Sequence, residues 1–330
     1  MKLLPTEYRR PFYLPSAHLE TIIPIYLRPQ GRSGEAKMIE LPDGDFLEAD
    51  FYQGKGEKLL IISHGLEGSS GSPYVLGMVA AAQAQGWDVV AWNHRSCGGR
   101  LNRLPRLYHS GESHDLASVV SHFIKGYHSV FLAGFSVGGN ITLKYLAENA
   151  NQLSPTIKGA VSFSAPLELR DCALLLERQK PAIYLHHFLK KLKARIMAKA
   201  AQFPEVFDTK HLNEIDSFRS FDDCFTAPLH GFQDALDYWQ KCSSLYLLEK
   251  IKVPTLLLQA LNDPFLPESA YPILEHEQKE NMANGPYPLI KNPHLSSYYT
   301  KQGGHCGFIL PGEKSSWAEQ QGIVFLSALG

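Results

Sequence analysis

The sequence predicts an α/β architecture, a mostly parallel sheet flanked by helices, and three observations carry that prediction. Short apolar runs rich in leucine and β-branched residues recur along the chain, as in strands covered on both faces. Between the early runs lie segments whose apolar residues return at helical spacing, and such alternation builds right-handed crossovers and parallel pairing. The alternation stops over residues 166–250, where helical patterns continue without a buried strand, and then resumes.

Residues 1–35 are studded with proline and hold an aromatic-aliphatic stretch, PFYLPSAHLETIIPIYLRP, expected to pack on the main body as an extension. Pro42-Asp43-Gly44-Asp45 reads as a hairpin turn between MIEL and FLEADFY. The expected parallel strands are KLLIIS (58–63), WDVVAW (87–92), SVFLAGF (129–135), IKGAVSF (157–163) and VPTLLLQAL (253–261). The expected helices are VLGMVAAAQAQGW (75–87), with a glycine where a C-cap falls, HDLASVVSHFIKGY (114–127) and VGGNITLKYLAENA (137–150). Residues 36–165 and 251–330 therefore form the expected core. Residues 166–250 form a helical cap at the carboxyl edge of the sheet, where open α/β sheets bind ligands.

Composition excludes several classes of function. Of 330 residues, 44% are hydrophobic and 20% charged, which is enough apolar material for a core and rules out a wholly disordered chain. Thirty-two Lys plus Arg against thirty-three Asp plus Glu leave a net charge of −1, so no global field favours nucleic acid. The five cysteines (Cys97, Cys172, Cys224, Cys242, Cys306) are odd in number and far apart, as in a reduced intracellular chain. The N-terminus lacks the apolar stretch of a signal peptide, and no run of about 18 apolar residues marks a membrane span. A cytoplasmic protein is the expectation. The first β-α turn has no G-x-G-x-x-G and the chain has no Walker-A pattern, so no nucleotide cofactor is expected.

The sharpest local signal is Gly134-Phe135-Ser136-Val137-Gly138-Gly139, directly after one expected strand and directly before one expected helix. A turn this tight needs glycine two residues either side of the serine, because side chains there would meet neighbouring backbone. It lifts the Ser136 hydroxyl out of the sheet and sets the Val137 N–H at a helix N-terminus, where it can stabilise an oxyanion. A serine nucleophile needs a base held by a carboxylate, in the chain order Ser, acid, His for this architecture. Asp263 follows VPTLLLQAL in the loop Asn262-Asp263-Pro264-Phe265, with Glu168 as the alternative acid. His305 follows LSSYYTKQ in the loop Gly303-Gly304-His305-Cys306-Gly307. The loop after KLLIIS, His64-Gly65-Leu66-Glu67-Gly68, should supply the second oxyanion donor through the Leu66 N–H. A carboxylate beside an oxyanion hole opposes charge development, so Glu67 is expected to point outward.

These motifs, together with N-H-R-x-C-G-G (93–99), PSAHLETI (15–22) and FDDCFTAPLHGFQDALDYW (221–239), resemble the α/β-hydrolase superfamily. More narrowly, they resemble its YheT-like family, related to mammalian α/β-hydrolase-domain lipid esterases. The resemblance implies the α/β-hydrolase fold, catalytic Ser136, Asp263 and His305, and hydrolysis of carboxylic esters without a cofactor. Thioester hydrolysis or acyl transfer by the same three residues is the alternative within enzymes, and a non-catalytic lipid-binding protein is the alternative outside them.

Other clusters weigh less. His186 and His187, with His211 and His230, do not make a tetrahedral set, because adjacent helical positions point about 100° apart, and no metal is expected. Cys306 is at the wrong station for a nucleophile, and Arg95 and Arg100 read as parts of a turn. Lys190, Lys191, Lys193, Arg195 and Lys199 contain no acid among them and have Leu185, Phe188, Leu192 and Ile196 behind them. They are expected to face outward together, as a basic face that offers weak membrane-surface contact. The expected partner is a small-molecule or lipid ester.

Overall fold

The computed structural model describes residues 7–277 and 287–330. Residues 1–6, which open the expected extension, lie outside them. Helix α1 (Ala17–Leu27) starts on Ser16, whose hydroxyl accepts the Leu19 N–H. Before it, Tyr8 is buried against Phe308 with ring centres 5.5 Å apart.

The hairpin turn joins β1 (Glu35–Glu40) to β2 (Phe46–Tyr52), and Gly44 takes the left-handed conformation that the turn needs (φ +85°). The alternating units follow in order: β3 (Lys58–Ser63), α2 (Pro73–Ala84), β4 (Asp88–Asn93), α3 (Ser113–Phe123), β5 (Ser129–Phe135), α4 (Val137–Glu148) and β6 (Ile157–Phe163). Pro73 opens α2 with a φ suited to the first turn, so the helix begins two residues earlier than its apolar spacing suggests. Residues 166–250 hold α5 (Leu169–Arg178), α6 (Ile183–Ala200), α7 (Phe218–Phe221), a π-helical turn over 222–226, α8 (Ala227–His230) and α9 (Ala235–Cys242), without a strand. The chain closes with β7 (Thr255–Ala260), a small pair β8 (Ile273–Leu274) and β9 (Leu289–Ile290), β10 (Leu295–Thr300) and α10 (Trp317–Ser327). Strand β7 is shorter than the apolar run around it, since Pro254 has no N–H and contributes only its carbonyl, to Ala160 N–H.

The eight-stranded sheet runs β1-β2-β4-β3-β5-β6-β7-β10. The pairs of β2 with β1 and β4 are antiparallel and the remaining pairs parallel. Every residue of β4, β5 and β7 is buried, which is why these runs read as continuous rather than alternating. One apolar cluster fills each face of the sheet, and a third joins α5–α9 to the loop after β7. The five cysteines are unpaired, and no helix among the described residues is long and apolar enough to cross a membrane.

The two charged stretches singled out in the sequence meet different outcomes. Arg95 is buried and forks onto Asp115 (2.8 and 2.7 Å) and Asp45 (2.8 Å), so it anchors the post-β4 loop, while Arg100 pairs with Glu48. The stretch Lys190–Lys199 does not face outward as a block. Lys190 and Lys191 are exposed, but Lys199 is fully buried and donates to the carbonyls of Asn102 and Leu104 at 2.6 Å each. The cause is periodicity: Leu185, Leu189, Leu192, Ile196 and Lys199 recur every three or four residues, so Lys199 falls on the buried stripe. Burial lowers its pKa to about 8.

Candidate active site

Strand β5 delivers Ser136 at its carboxyl end, and α4 begins at the next residue. The serine sits at φ +53°, a strained conformation for a residue with a side chain. Its N–H donates to Phe163 O (2.8 Å) and its carbonyl accepts Gly139 N–H (2.8 Å), which holds the turn. A Cβ on Gly134 would strike the Gly138 carbonyl, and one on Gly138 would strike that of Ser63. That is the steric reason for both glycines.

His305, at the end of the loop after β10, accepts the Ser136 hydroxyl at Nε2 (2.9 Å) and donates from Nδ1 to Asp263 Oδ2 (2.8 Å). A carboxylate oxygen only accepts, so Nδ1 carries the proton and Nε2 is left free to receive one. The Asp263 side chain is fully buried, and its other oxygen accepts Phe265 N–H (2.8 Å). The Phe265 ring stacks on the imidazole at 4.1 Å. Three residues 169 and 42 positions apart thus meet in one hydrogen-bonded line. Glu168 is not part of it: its carboxylate caps α5 through Asp171 N–H.

Helix α1 holds the histidine loop in place, a role that the motif PSAHLETI does not announce. Thr21 Oγ1 accepts His305 N–H (3.0 Å) and donates to Ala17 O (2.8 Å). Gly304 N–H donates to Asn262 Oδ1 (3.1 Å), and Asn262 donates to the buried carboxylate of Glu20 (2.7 Å). Burial raises the Glu20 pKa. No local spacing could reveal contacts made across 284 and 242 residues of chain.

The His64–Gly68 loop lies against the serine, since a Cβ on Gly65 would come within 3.0 Å of Ser136 Cβ. Leu66 and Val137 line the same cavity as Ser136 and His305. Two buried imidazoles brace this loop. His94 N–H donates to His64 Nε2 (3.1 Å), which leaves the His64 proton on Nδ1 for the Gly65 carbonyl (2.7 Å). The second ring returns a bond from Nε2 to His64 O (2.9 Å). Burial lowers both pKa values, that of His94 to about 4, and keeps the pair neutral.

Glu67 does not point outward. Its side chain is 3% exposed and forms a two-pronged ion pair with Arg195 of α6, from Nε to Oε1 (3.0 Å) and from Nη2 to Oε2 (2.7 Å). Tyr108 also donates to Oε1 and accepts the Glu67 N–H, each at 2.9 Å. Residue 67 takes φ +52°, which turns the carboxylate inward beneath α6. The neutralising cation comes from the insertion, 128 residues away, where no motif advertised it.

Two cavities meet at this point. A narrow one of about 120 Å³ runs under α5–α9 between Leu107, Leu169, Leu176, Phe188, Phe218 and Trp239. At its edge the half-buried Asp222 accepts Trp239 Nε1–H (2.8 Å) and the Thr226 hydroxyl (2.6 Å), and burial raises its pKa to about 7. A wider cavity of about 580 Å³ opens between α1, α6 and the His64–Gly68 loop. Ser136, His305, Leu66 and Phe265 line both.

The remaining candidates do not assemble. Cys306 lies beside the site with its thiol pKa pushed up by burial, the reverse of what a thiolate nucleophile needs. His186 and His187 are exposed on α6, and His211 pairs with Glu214 (2.8 Å). A separate trio that the sequence reading missed, His109, Glu112 and His230, brings its possible ligand atoms within 4.8 Å of one another. His109 Nδ1 accepts Gly111 N–H (3.1 Å), so its proton sits on Nε2, 3.4 Å from Glu112, and Glu112 is already paired with Arg106. In that tautomer the His109 lone pair is on Nδ1, where it is already engaged by the Gly111 N–H.

The model of the alpha/beta hydrolase fold family matches residues 58–309. YheT of Escherichia coli (strain K12), named as a candidate esterase, is 34% identical over 303 residues, which span 89% of this chain and 84% of that protein. Phospholipase ABHD3 of Homo sapiens is 27% identical over 83% of this chain and 66% of its own length. A monoacylglycerol lipase of Saccharomyces cerevisiae is likewise 27% identical, over 86% of this chain and 61% of its own. Among solved structures, the Pyrococcus furiosus esterase Pf2001 superposes with a TM-score of 0.54 at 16% identity, covering 92% of this chain and 100% of that one. Sequence and topology agree, and the chain belongs to the α/β-hydrolase family, in the group that includes YheT.

Proposed function

We propose that the protein hydrolyses carboxylic esters with acyl or lipid-like groups, using Ser136 as nucleophile, His305 as base and acid, and Asp263 as the orienting carboxylate. The observation that carries this reading is the unbroken line Ser136 Oγ–His305 Nε2–Asp263 (2.9 and 2.8 Å) at the junction of two cavities. Ser136 Oγ attacks the acyl carbon while its proton passes to His305 Nε2. The Leu66 and Val137 N–H groups receive the developing oxyanion, and donors of this kind are worth about 10²–10³-fold each in kcat. Collapse expels the alcohol, protonated by His305, and leaves the acyl group on Ser136. Water, deprotonated by the same imidazole, then releases the acid and restores the serine. Asp263 holds the Nδ1–H tautomer throughout and stabilises the imidazolium.

The narrow apolar cavity suits the acyl chain, with residues 166–250 acting as a cap over it, and the wide cavity suits the alcohol. The esterase, phospholipase and lipase names of the relatives support the reaction class. The test combines fluorophosphonate labelling with esters and thioesters of graded chain length, on wild type and Ser136→Ala. Labelling and turnover are expected in the wild type alone, with esters cleaved faster than thioesters. Labelling that persists in Ser136→Ala would refute the assignment, and a preference for thioesters would move the activity to that class.

A further inference from the structure

The mouth of the wide cavity is flanked by two helices with unusual outer faces. Helix α1 has one charged residue, Glu20, and it is buried. Outward it presents Ile25, Tyr26 and Leu27, which are 45%, 75% and 59% exposed. Helix α6 lies beside it, with His18 Nδ1 3.0 Å from the Tyr184 hydroxyl. The exposed positions Ile183, His186, His187, Lys190 and Lys191 follow a helical stripe, and α6 contains no acidic residue. Ile25 and Tyr26 from one helix, and His187 and Lys191 from the other, border the cavity that leads to Ser136.

We propose that this α1–α6 face docks on an anionic phospholipid bilayer and that a lipid ester enters the wide cavity from it. Contiguous apolar surface rimmed by polar groups marks an interaction site, and a helix with aliphatic and aromatic residues outward suits the headgroup–acyl boundary. Charge decides the kind of partner: exposed lysines on α6, with no exposed carboxylate on either helix, complement an anionic surface. Position decides it further, because a second copy of this chain seated here would close the cavity mouth, whereas a bilayer would feed it. The inference deepens the ester-hydrolase reading, but docking is measured separately from hydrolysis.

The experiment is co-sedimentation with vesicles of phosphatidylcholine, with and without phosphatidylglycerol. It uses wild type, Ser136→Ala, Tyr26→Ser/Leu27→Ser and Lys190→Glu/Lys191→Glu, with melting curves to verify folding. Wild type and Ser136→Ala are expected to bind the phosphatidylglycerol vesicles equally. Losing two cations near an anionic surface should weaken partitioning by about 30-fold, the two carboxylates introduced should weaken it further, and the apolar pair should cost at least about 30-fold. Binding should fall with salt as the Debye length shrinks from about 10 Å at 0.1 M to about 3 Å at 1 M. Docking is overturned if wild type ignores anionic vesicles, if the Tyr26/Leu27 variant binds like wild type, or if neutral vesicles bind as well as anionic ones. It is also overturned if wild type is a dimer that Tyr26→Ser/Leu27→Ser dissociates, since a second copy then covers the face. Vesicle binding without ester turnover would sink the hydrolase reading and leave docking intact.

Discussion

Replacing Glu67 by glutamine removes one charge from a pair that joins the proposed oxyanion loop to the helical insertion. The partners are 3% and 15% exposed and share contacts of 3.0 and 2.7 Å, so the substitution strands a nearly buried guanidinium. Breaking a buried pair in this way costs about 3–5 kcal/mol, and the residual exposure of Arg195 favours the lower end. At roughly 2.1 cal/mol/K of unfolding entropy per residue, a chain of this length loses about 4 °C of Tm for 3 kcal/mol. The kinetic effect is expected to be larger. Glu67 follows Leu66, and a 1 Å displacement at a reacting centre costs about 10²-fold in rate. The loss should appear in kcat with KM little changed, because the oxyanion forms only in the transition state. Melting curves and steady-state kinetics on a soluble nitrophenyl ester, for Glu67→Gln, Arg195→Gln and the double variant, measure both effects and their coupling. The double variant should recover part of the lost stability, since it leaves no lone charge. Single variants with kcat within twofold of wild type and unchanged Tm would show the pair to be idle. A rise in kcat for Glu67→Gln would show instead that the carboxylate opposes the oxyanion despite its arginine.

Asp263→Asn should lower kcat by about 10⁴-fold, because the amide no longer selects the productive His305 tautomer, and near-full activity would move the orienting acid elsewhere. Thr21→Val deprives the His305 N–H of its acceptor; it should cost about 1–3 kcal/mol in thermal unfolding and reduce kcat, and wild-type values for both would show that α1 does not hold the loop. For His94 the folded pKa of about 4 lies below the unfolded value, so the unfolded chain binds more protons between pH 6.5 and 4. Its contribution is present above pH 6.5 and is lost as pH falls through 4. Melting of wild type and His94→Asn from pH 7.5 to 4.5 should show the wild-type advantage shrinking with acid, and a constant difference would refute the burial argument.

Much of this molecule was legible in residue order, for local reasons. Strand β5 and helix α4 follow from apolar runs and spacing, and the tight turn between them demands the glycines around Ser136. Asp263 and His305 stand in loops after strands, where chain order and sheet topology bring side chains to one edge, and the two hydrogen bonds realise that convergence. The inward turn of Glu67 was not legible, because its reason is Arg195, and a pairing across 128 residues leaves no trace in the local pattern. Lys199 shows the same limit: its charge argues for solvent, but its place in the helical stripe puts it inside, where two carbonyls receive it. The hold of Thr21 on His305 is decided wholly by where α1 lies against the loop after β10. Sequence determines what short stretches of backbone can do. Which buried polar groups become partners depends on the packing of distant elements, since only there does the cost of desolvation select one pairing over another.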